Sequence, residues 1–180
     1  MIRLFVGLEL PQELRLRLAA LSTGVPGARW VRPENLHLSL RFIGEVEEPG
    51  MTDISDALAA VNGSPFAFEI TGLGHFESAG KVRVLWAGVE RNERLFHLYG
   101  RIESALIRAG LEPEERKFFP HITLARLKAA PVRRVADFLR ANGPFRAGPV
   151  PVTRFVLFSS FLSRSGAVYR AEEIYPLEED

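Results

Sequence analysis

Two short stretches of the chain set a histidine two positions before a hydroxyl residue: His37-Leu38-Ser39-Leu40 and His121-Ile122-Thr123-Leu124. Side chains alternate between faces along a β-strand. That places His37, Ser39 and Arg41 on one face, with Leu36, Leu38, Leu40 and Phe42 on the other. In the second stretch His121 and Thr123 share a face while Ile122 and Leu124 point into a core. Each strand would then present an imidazole beside a hydroxyl, held from behind by packed aliphatics. An unperturbed imidazole titrates at about pH 6.5, so near neutrality one can accept a proton while another, slightly raised, donates one. Displacement at phosphorus needs both transfers, one from the incoming oxygen and one to the departing oxygen. The hydroxyls can bond the non-bridging oxygens. Alternation gives both histidines the same setting and leaves their separate roles open. A purely structural histidine on an apolar strand accounts for either one taken alone. The other two histidines, His75 and His97, are followed at the same spacing by Glu77 and Tyr99.

The elements that must position these strands succeed one another irregularly. Ile2–Leu10 reads as a strand, and Pro11 opens a helix through Ser22 whose leucines recur at helical spacing. Arg29–Val31 and Leu36–Ile43 read as strands, and residues 51–62 as a helix with Ile54, Leu58 and Val61 on one face. Phe66–Leu73 and Val82–Val89 read as strands joined by the loop GHFESAGK. Glu93–Ala109 is the longest predicted helix, stopped by Gly110. Phe118–Leu127 follows as a strand and Pro131–Ala141 as a helix, and Val150–Leu162 and Ala167–Leu177 form a hairpin around SRSG. Strands and helices without regular βαβ alternation indicate an α+β architecture with mostly antiparallel sheets. A helix followed by a His-x-Ser/Thr strand occurs in each half, which suggests a duplicated, two-lobed arrangement within one domain over residues 1–180.

Bulk properties narrow the function classes. A chain of 180 residues with 47% apolar and 25% charged residues builds a core and is not disordered. It contains no cysteine, which excludes disulfides and thiolate metal sites and makes a reducing cytoplasm the default expectation. The apolar run at the N-terminus carries Glu9 and ends at Pro11, unlike an export signal. No segment approaches the roughly 18 apolar residues of a membrane span. A net charge of +1 excludes a polybasic nucleic-acid coat, but the distribution is uneven. Arg116–Arg140 holds seven basic residues against Asp137 alone, and Ala171–Asp180 holds five acids and no base. A positive field around the second motif would draw in an anionic substrate, although a solvated basic helix face accounts for the same charges.

HLSL at 37–40 and HITL at 121–124 resemble the paired motifs of the 2H phosphoesterase superfamily. The flanks RLFVGLELP, RWVRPENLHLSLRFIGEV, KVRVLWAGV, LEPEERKFFPHITLAR and FLSRSGAVYRAEEIYPL narrow the resemblance to its RNA 2′,3′-cyclic phosphodiesterases, the 2′-5′ RNA ligase-like proteins. The resemblance runs from end to end. It implies a two-lobed, pseudo-twofold α+β fold, with antiparallel sheets and outer helices flanking a central cleft. It also implies metal-independent hydrolysis of a nucleoside 2′,3′-cyclic phosphate at an RNA 3′ end to a 2′-phosphomonoester. Neither a cofactor, a membrane nor an obligate protein partner is implied.

By position, His37 matches the family's proton donor and His121 its proton acceptor, while Ser39 and Thr123 match the hydroxyls that bind phosphate oxygens. Ser39 departs from the commoner threonine, keeping the hydroxyl and losing a methyl. Arg126 matches a basic position that follows the second motif, yet strict alternation puts it on the core face unless the strand ends near Ala125. Arg41 is the reverse case, well placed by alternation and less typical of the family. Phe76, Phe118, Phe119, Trp30 and Tyr169 are candidates to stack on a base, in competition with core packing. With a 5′-hydroxyl in place of water, the same chemistry run backwards would join RNA through a 2′-5′ link.

Rival readings are a phosphodiesterase for another small cyclic phosphate or a 2′-5′ linked oligonucleotide, and a non-catalytic module that binds RNA ends. Binding alone needs no matched acid and base. A serine hydrolase using His121 lacks the Gly-x-Ser-x-Gly elbow. Gly72–Glu77 fails the dinucleotide fingerprint at its last glycine, and Gly74–Lys81 misses phosphate-loop spacing. No His-Glu-x-x-His or carboxylate cluster marks a metal site.

Overall fold

Residues 1–179 are described by a computed structural model, in which nine strands divide between two antiparallel sheets backed by four helices. Asp180, the last of the five acids in the C-terminal run, lies outside the described residues. The first sheet runs in the order β3 (His37–Val46), β1 (Ile2–Glu9), β8 (Arg154–Ser163), β9 (Gly166–Pro176). The second runs β2 (Arg29–Trp30), β6 (His121–Arg126), β5 (Lys81–Val89), β4 (Phe66–Ser78), β7 (Arg146–Val152). The helices are α1 (Gln12–Ala19), α2 (Glu48–Ala59), α3 (Glu93–Arg108) and α4 (Val132–Asn142).

Helical spacing on α3 brings Leu95, Leu98, Ile102 and Leu106 to one buried stripe. The helix starts where the Asn92 side chain accepts the Leu95 N–H at 3.1 Å, and ends before Gly110, whose φ of 104° suits a residue without a Cβ. That stripe and Ile54 and Leu58 of α2 join one core cluster with Leu38 and Leu40 of β3 and Ile122 and Leu124 of β6. The core therefore runs unbroken behind both motif strands, which lie side by side at the seam between the sheets.

Several element bounds differ from the sequence reading: α1 stops at Ala19 short of Ser22, β3 runs on to Val46, and the strand expected from Phe118 begins only at His121. GHFESAGK is mostly strand: β4 extends through Ser78 and β5 begins at Lys81, around a turn at Ala79-Gly80 with φ of 53° and 74°. Such a short hairpin turn requires positive φ at both positions, which makes the link tighter than composition suggests. Val150–Leu162 is two strands rather than one, β7 and β8, broken at Thr153. The extra strand carries Pro149 and Pro151, which lack an amide donor, and it stands at the sheet edge where that lack is tolerated. The helix expected over 51–62 begins earlier, at Glu48, because Pro49 fits its first turn. No helix among the described residues is long and apolar enough to cross a membrane.

Candidate active site

Both motif strands break the alternation at the same step. In β3, Ser39 pairs with Gly7 and Arg41 with Val6, so Leu40 is the extra residue of a β-bulge. In β6, Thr123 pairs with Trp86 and Ala125 with Leu85, so Leu124 is the extra residue. Leu40 and Arg41 consequently both turn into the core, as do Leu124 and Ala125. Phe42 and Arg126 return to the histidine face. Phe42 pairs with Phe5, whose ring lies 4.9 Å from that of His37.

The bulges correct two expectations. Arg41, placed by alternation beside His37 and Ser39, is 8% exposed and fully engaged elsewhere. Its Nε donates to Glu103 Oε2 at 2.6 Å, Nη1 to the Phe42 carbonyl at 2.6 Å and Nη2 to the Glu112 carbonyl at 2.7 Å. Arg126, placed by alternation on the core face, is exposed, and its guanidinium has no hydrogen bond or ion pair among the described residues. The strand does not end early to release it; β6 runs through Arg126 and the bulge turns it.

Each histidine is oriented in the same way. Nδ1 of His37 lies 2.6 Å from the Asn35 carbonyl, and Nδ1 of His121 lies 2.7 Å from the Phe119 carbonyl. Only an N–H can face a carbonyl oxygen, so both rings carry the proton on Nδ1 when neutral and present Nε2 as an acceptor. The Asn35 carbonyl is itself fixed, because the Asn35 side chain donates to the Ala167 carbonyl at 2.8 Å and pins the 3₁₀ turn Pro33–Asn35. On His37, Ser39 Oγ lies 2.8 Å from Nε2, so its hydroxyl donates to the neutral ring. Nε2 of His121 and the hydroxyl of Thr123 have no partner among the described residues.

Aromatic side chains wall both rings. Phe5, Tyr169 and Phe158 surround His37 at 4.9, 5.3 and 6.2 Å, while Phe76, Trp86 and Phe119 surround His121 at 4.9, 6.3 and 6.3 Å. Two glycines make room for these walls. A Cβ at Gly7 would stand 3.0 Å from the Leu38 carbonyl oxygen and 3.5 Å from His37 Cδ2, and one at Gly74 would overlap the Trp86 ring. Of the aromatics expected to meet a base, Phe76, Phe119 and Tyr169 are at the histidines. Trp30 packs on Phe138 and Phe118 stacks on Tyr99 at 4.1 Å, so these two belong to packing.

Burial pushes the pKa of both imidazoles below the ordinary value, with the carbonyl bonds at Nδ1 pushing back. The Arg126 charge lowers both further, and the His121 charge lowers His37 as well. His37, His121 and Arg126 therefore act on one another in a single electrostatic neighbourhood. These influences favour the neutral form of both rings in the free protein. Phe42, which the sequence reading assigned to the core, was detectable by repetition: it follows His37 at the interval by which Arg126 follows His121. The orienting carbonyls of Asn35 and Phe119 left no trace in residue type.

The LigT like Phosphoesterase family profile matches twice in succession, over residues 8–86 and 88–169, once around each motif. The RNA 2′,3′-cyclic phosphodiesterase of Aeropyrum pernix is 39% identical over 158 residues, 87% of this chain and 89% of its own. That of Thermotoga maritima is 35% identical over 175 residues, 94% of this chain and 92% of its own. Among solved structures, a Thermus thermophilus protein superimposes with a TM-score of 0.82 at 30% identity, covering 97% of both chains. Escherichia coli LigT complexed with 3′-AMP superimposes with a TM-score of 0.80 at 26% identity, covering 99% of both.

Proposed function

Since this chain belongs to the LigT like Phosphoesterase family, we propose that it opens nucleoside 2′,3′-cyclic phosphates at RNA 3′ ends to 2′-phosphomonoesters. The observation that carries this reading is the shared neighbourhood of two imidazoles and a free guanidinium, beside two hydroxyls on the same strand faces. The cyclic phosphodiester is a monoanion. Arg126 supplies its counter-charge, Thr123 donates to a non-bridging oxygen, and Ser39 donates to another once His37 carries a proton on Nε2 and no longer accepts the Ser39 hydroxyl.

His121 acts as the base. Its Nε2 is open and takes a proton from water as the water oxygen bonds to phosphorus. His37 acts as the acid: its Nε2 proton passes to O3′ as the P–O3′ bond breaks, leaving the phosphate on O2′. Burial and the Arg126 charge favour the neutral form of His37 in the free protein, so it gains its proton as the anionic substrate arrives, offsets the Arg126 charge and favours an imidazolium. After the step His121 is charged and His37 neutral, and exchange with solvent resets them. The two imidazoles supply both proton transfers, so we assign the reaction no metal. A 5′-hydroxyl in the place of water would give 2′-5′ joining by the same route. Phe42 and Phe119, each 53% exposed at the rim, offer faces for the terminal base. A chain without cysteine suits a reducing compartment, and we place its work in the cytoplasm.

The test is hydrolysis of adenosine 2′,3′-cyclic phosphate and of a short RNA ending in that group, in excess chelator, with the product read by phosphorus NMR. A 2′-phosphate is expected. A 3′-phosphate would overturn the assignment of the leaving oxygen. Tight binding without turnover would favour an RNA-end-binding module.

A further inference from the structure

A cavity of about 340 Å³ opens beside His37, lined in part by Glu9, Arg15, Glu34, Arg154 and Tyr169. Its acids are already matched. Arg154 donates to Glu9 Oε2 through Nε at 2.9 Å and Nη2 at 2.6 Å, and Glu34 pairs with Arg32 at 3.5 Å. Arg15 is different. Its Nε is buried with no hydrogen-bond partner, and no other nitrogen of its guanidinium is bonded or ion-paired among the described residues. Arg15 is half-buried, and an Nε–H held out of water without an acceptor is unfavourable and uncommon; an anion entering beside it removes that penalty.

The proposed chemistry says which anion lies on that side. Water enters at His121, and the oxygen that His37 protonates belongs to the ribose. The sugar therefore sits on the His37 side of the phosphorus, facing this cavity. In an RNA chain that ribose carries a second phosphate, the phosphodiester on its 5′ carbon. We propose that the cavity beside His37 receives this 5′ phosphodiester with Arg15 as its ligand, so that the protein prefers a chain end to a bare cyclic nucleoside. This subsite rests on the phosphodiesterase reading and on His37 standing next to the leaving oxygen.

The experiment compares kcat/KM for adenosine 2′,3′-cyclic phosphate with and without a 5′-phosphate, in the wild type, Arg15→Gln and Arg15→Lys. The wild type is expected to favour the 5′-phosphorylated substrate by about tenfold or more, the scale of a charge-assisted hydrogen bond. That ratio should fall to about one in Arg15→Gln and be partly kept in Arg15→Lys, which retains charge but not the forked geometry. A wild-type ratio near one overturns the subsite and leaves the phosphodiesterase intact. A high ratio that survives Arg15→Gln assigns the discrimination elsewhere and also overturns it. Failure of the wild type to turn over either substrate overturns the underlying reading, and the subsite with it.

Discussion

β3 and β6 share a backbone design and differ in what they hang on it. Each fixes its histidine through a carbonyl two residues back, sets a hydroxyl two residues on, and bulges at the leucine after that. The bulge of β3 releases Phe42 to the site and turns Arg41 inward; that of β6 releases Arg126 and turns Ala125 inward. One backbone device used twice thus sets an aromatic face on one rim and a cation on the other. The inward pair differs as well. Ala125 only packs, whereas Arg41 pairs with Glu103, whose other carboxylate oxygen accepts the Glu114 N–H at 2.8 Å. Through that network the back of the first motif strand grips the segment leading to the second. The histidines are asymmetric too: a serine hydroxyl covers Nε2 of His37, while Nε2 of His121 stays open.

The largest expected effect separates acid from base. His37→Ala and His121→Ala should each lower kcat on adenosine 2′,3′-cyclic phosphate by about 10²–10⁴-fold. On a p-nitrophenyl phosphodiester, whose leaving group needs no proton, His37→Ala should lose far less than His121→Ala. Equal losses on both substrates would erase the distinction between the two motif strands. Next is the inward pair. Arg41→Ala strands the Glu103 carboxylate in the interior and should lower unfolding stability by about 3–5 kcal/mol, measured by urea titration. A change near zero would show that Arg41 does not tie the strands together.

The two released residues give smaller effects of different kinds. Arg126→Gln should lower kcat/KM by about 10²-fold, the usual scale for losing an oxyanion donor. It should also move the pH profile. A neighbouring positive charge disfavours imidazolium, so removing it raises the pKa of both histidines and carries both limbs of the kcat/KM bell to higher pH. A profile that stays put, or moves toward acid, would place Arg126 outside the cleft. Phe42→Ala should cost about 1–3 kcal/mol of base stacking, seen chiefly in KM, and Phe42→Trp should recover it. If Phe42→Ala leaves KM unchanged, the terminal base lies elsewhere.

Much of the fold followed from local rules. The leucine spacing of α3, its asparagine cap and its glycine stop are properties of a contiguous segment, and the helix lies where they place it. The sequence reading merges the end of β7, Val150–Val152, with β8 and omits its start at Arg146–Pro149, because the break at Thr153 and the pairing of a proline-bearing edge strand are decided by neighbours. At the site, His37, Ser39, His121 and Thr123 lie on the strand faces that alternation predicts. Alternation failed one step further on, at Arg41, Phe42 and Arg126, because it assumes unbulged pairing.

The sequence alone determined the chemistry available to this protein, two imidazole–hydroxyl pairs backed by aliphatics, because residue type and period-two spacing are local. Only the tertiary structure decided which charged and aromatic groups meet them. A bulge exists only where two residues of one strand oppose one residue of another, so the turn that brings Arg126 and Phe42 outward and Arg41 inward is a property of paired strands. The same holds for Arg15, whose Nε is buried without a partner by the packing around it.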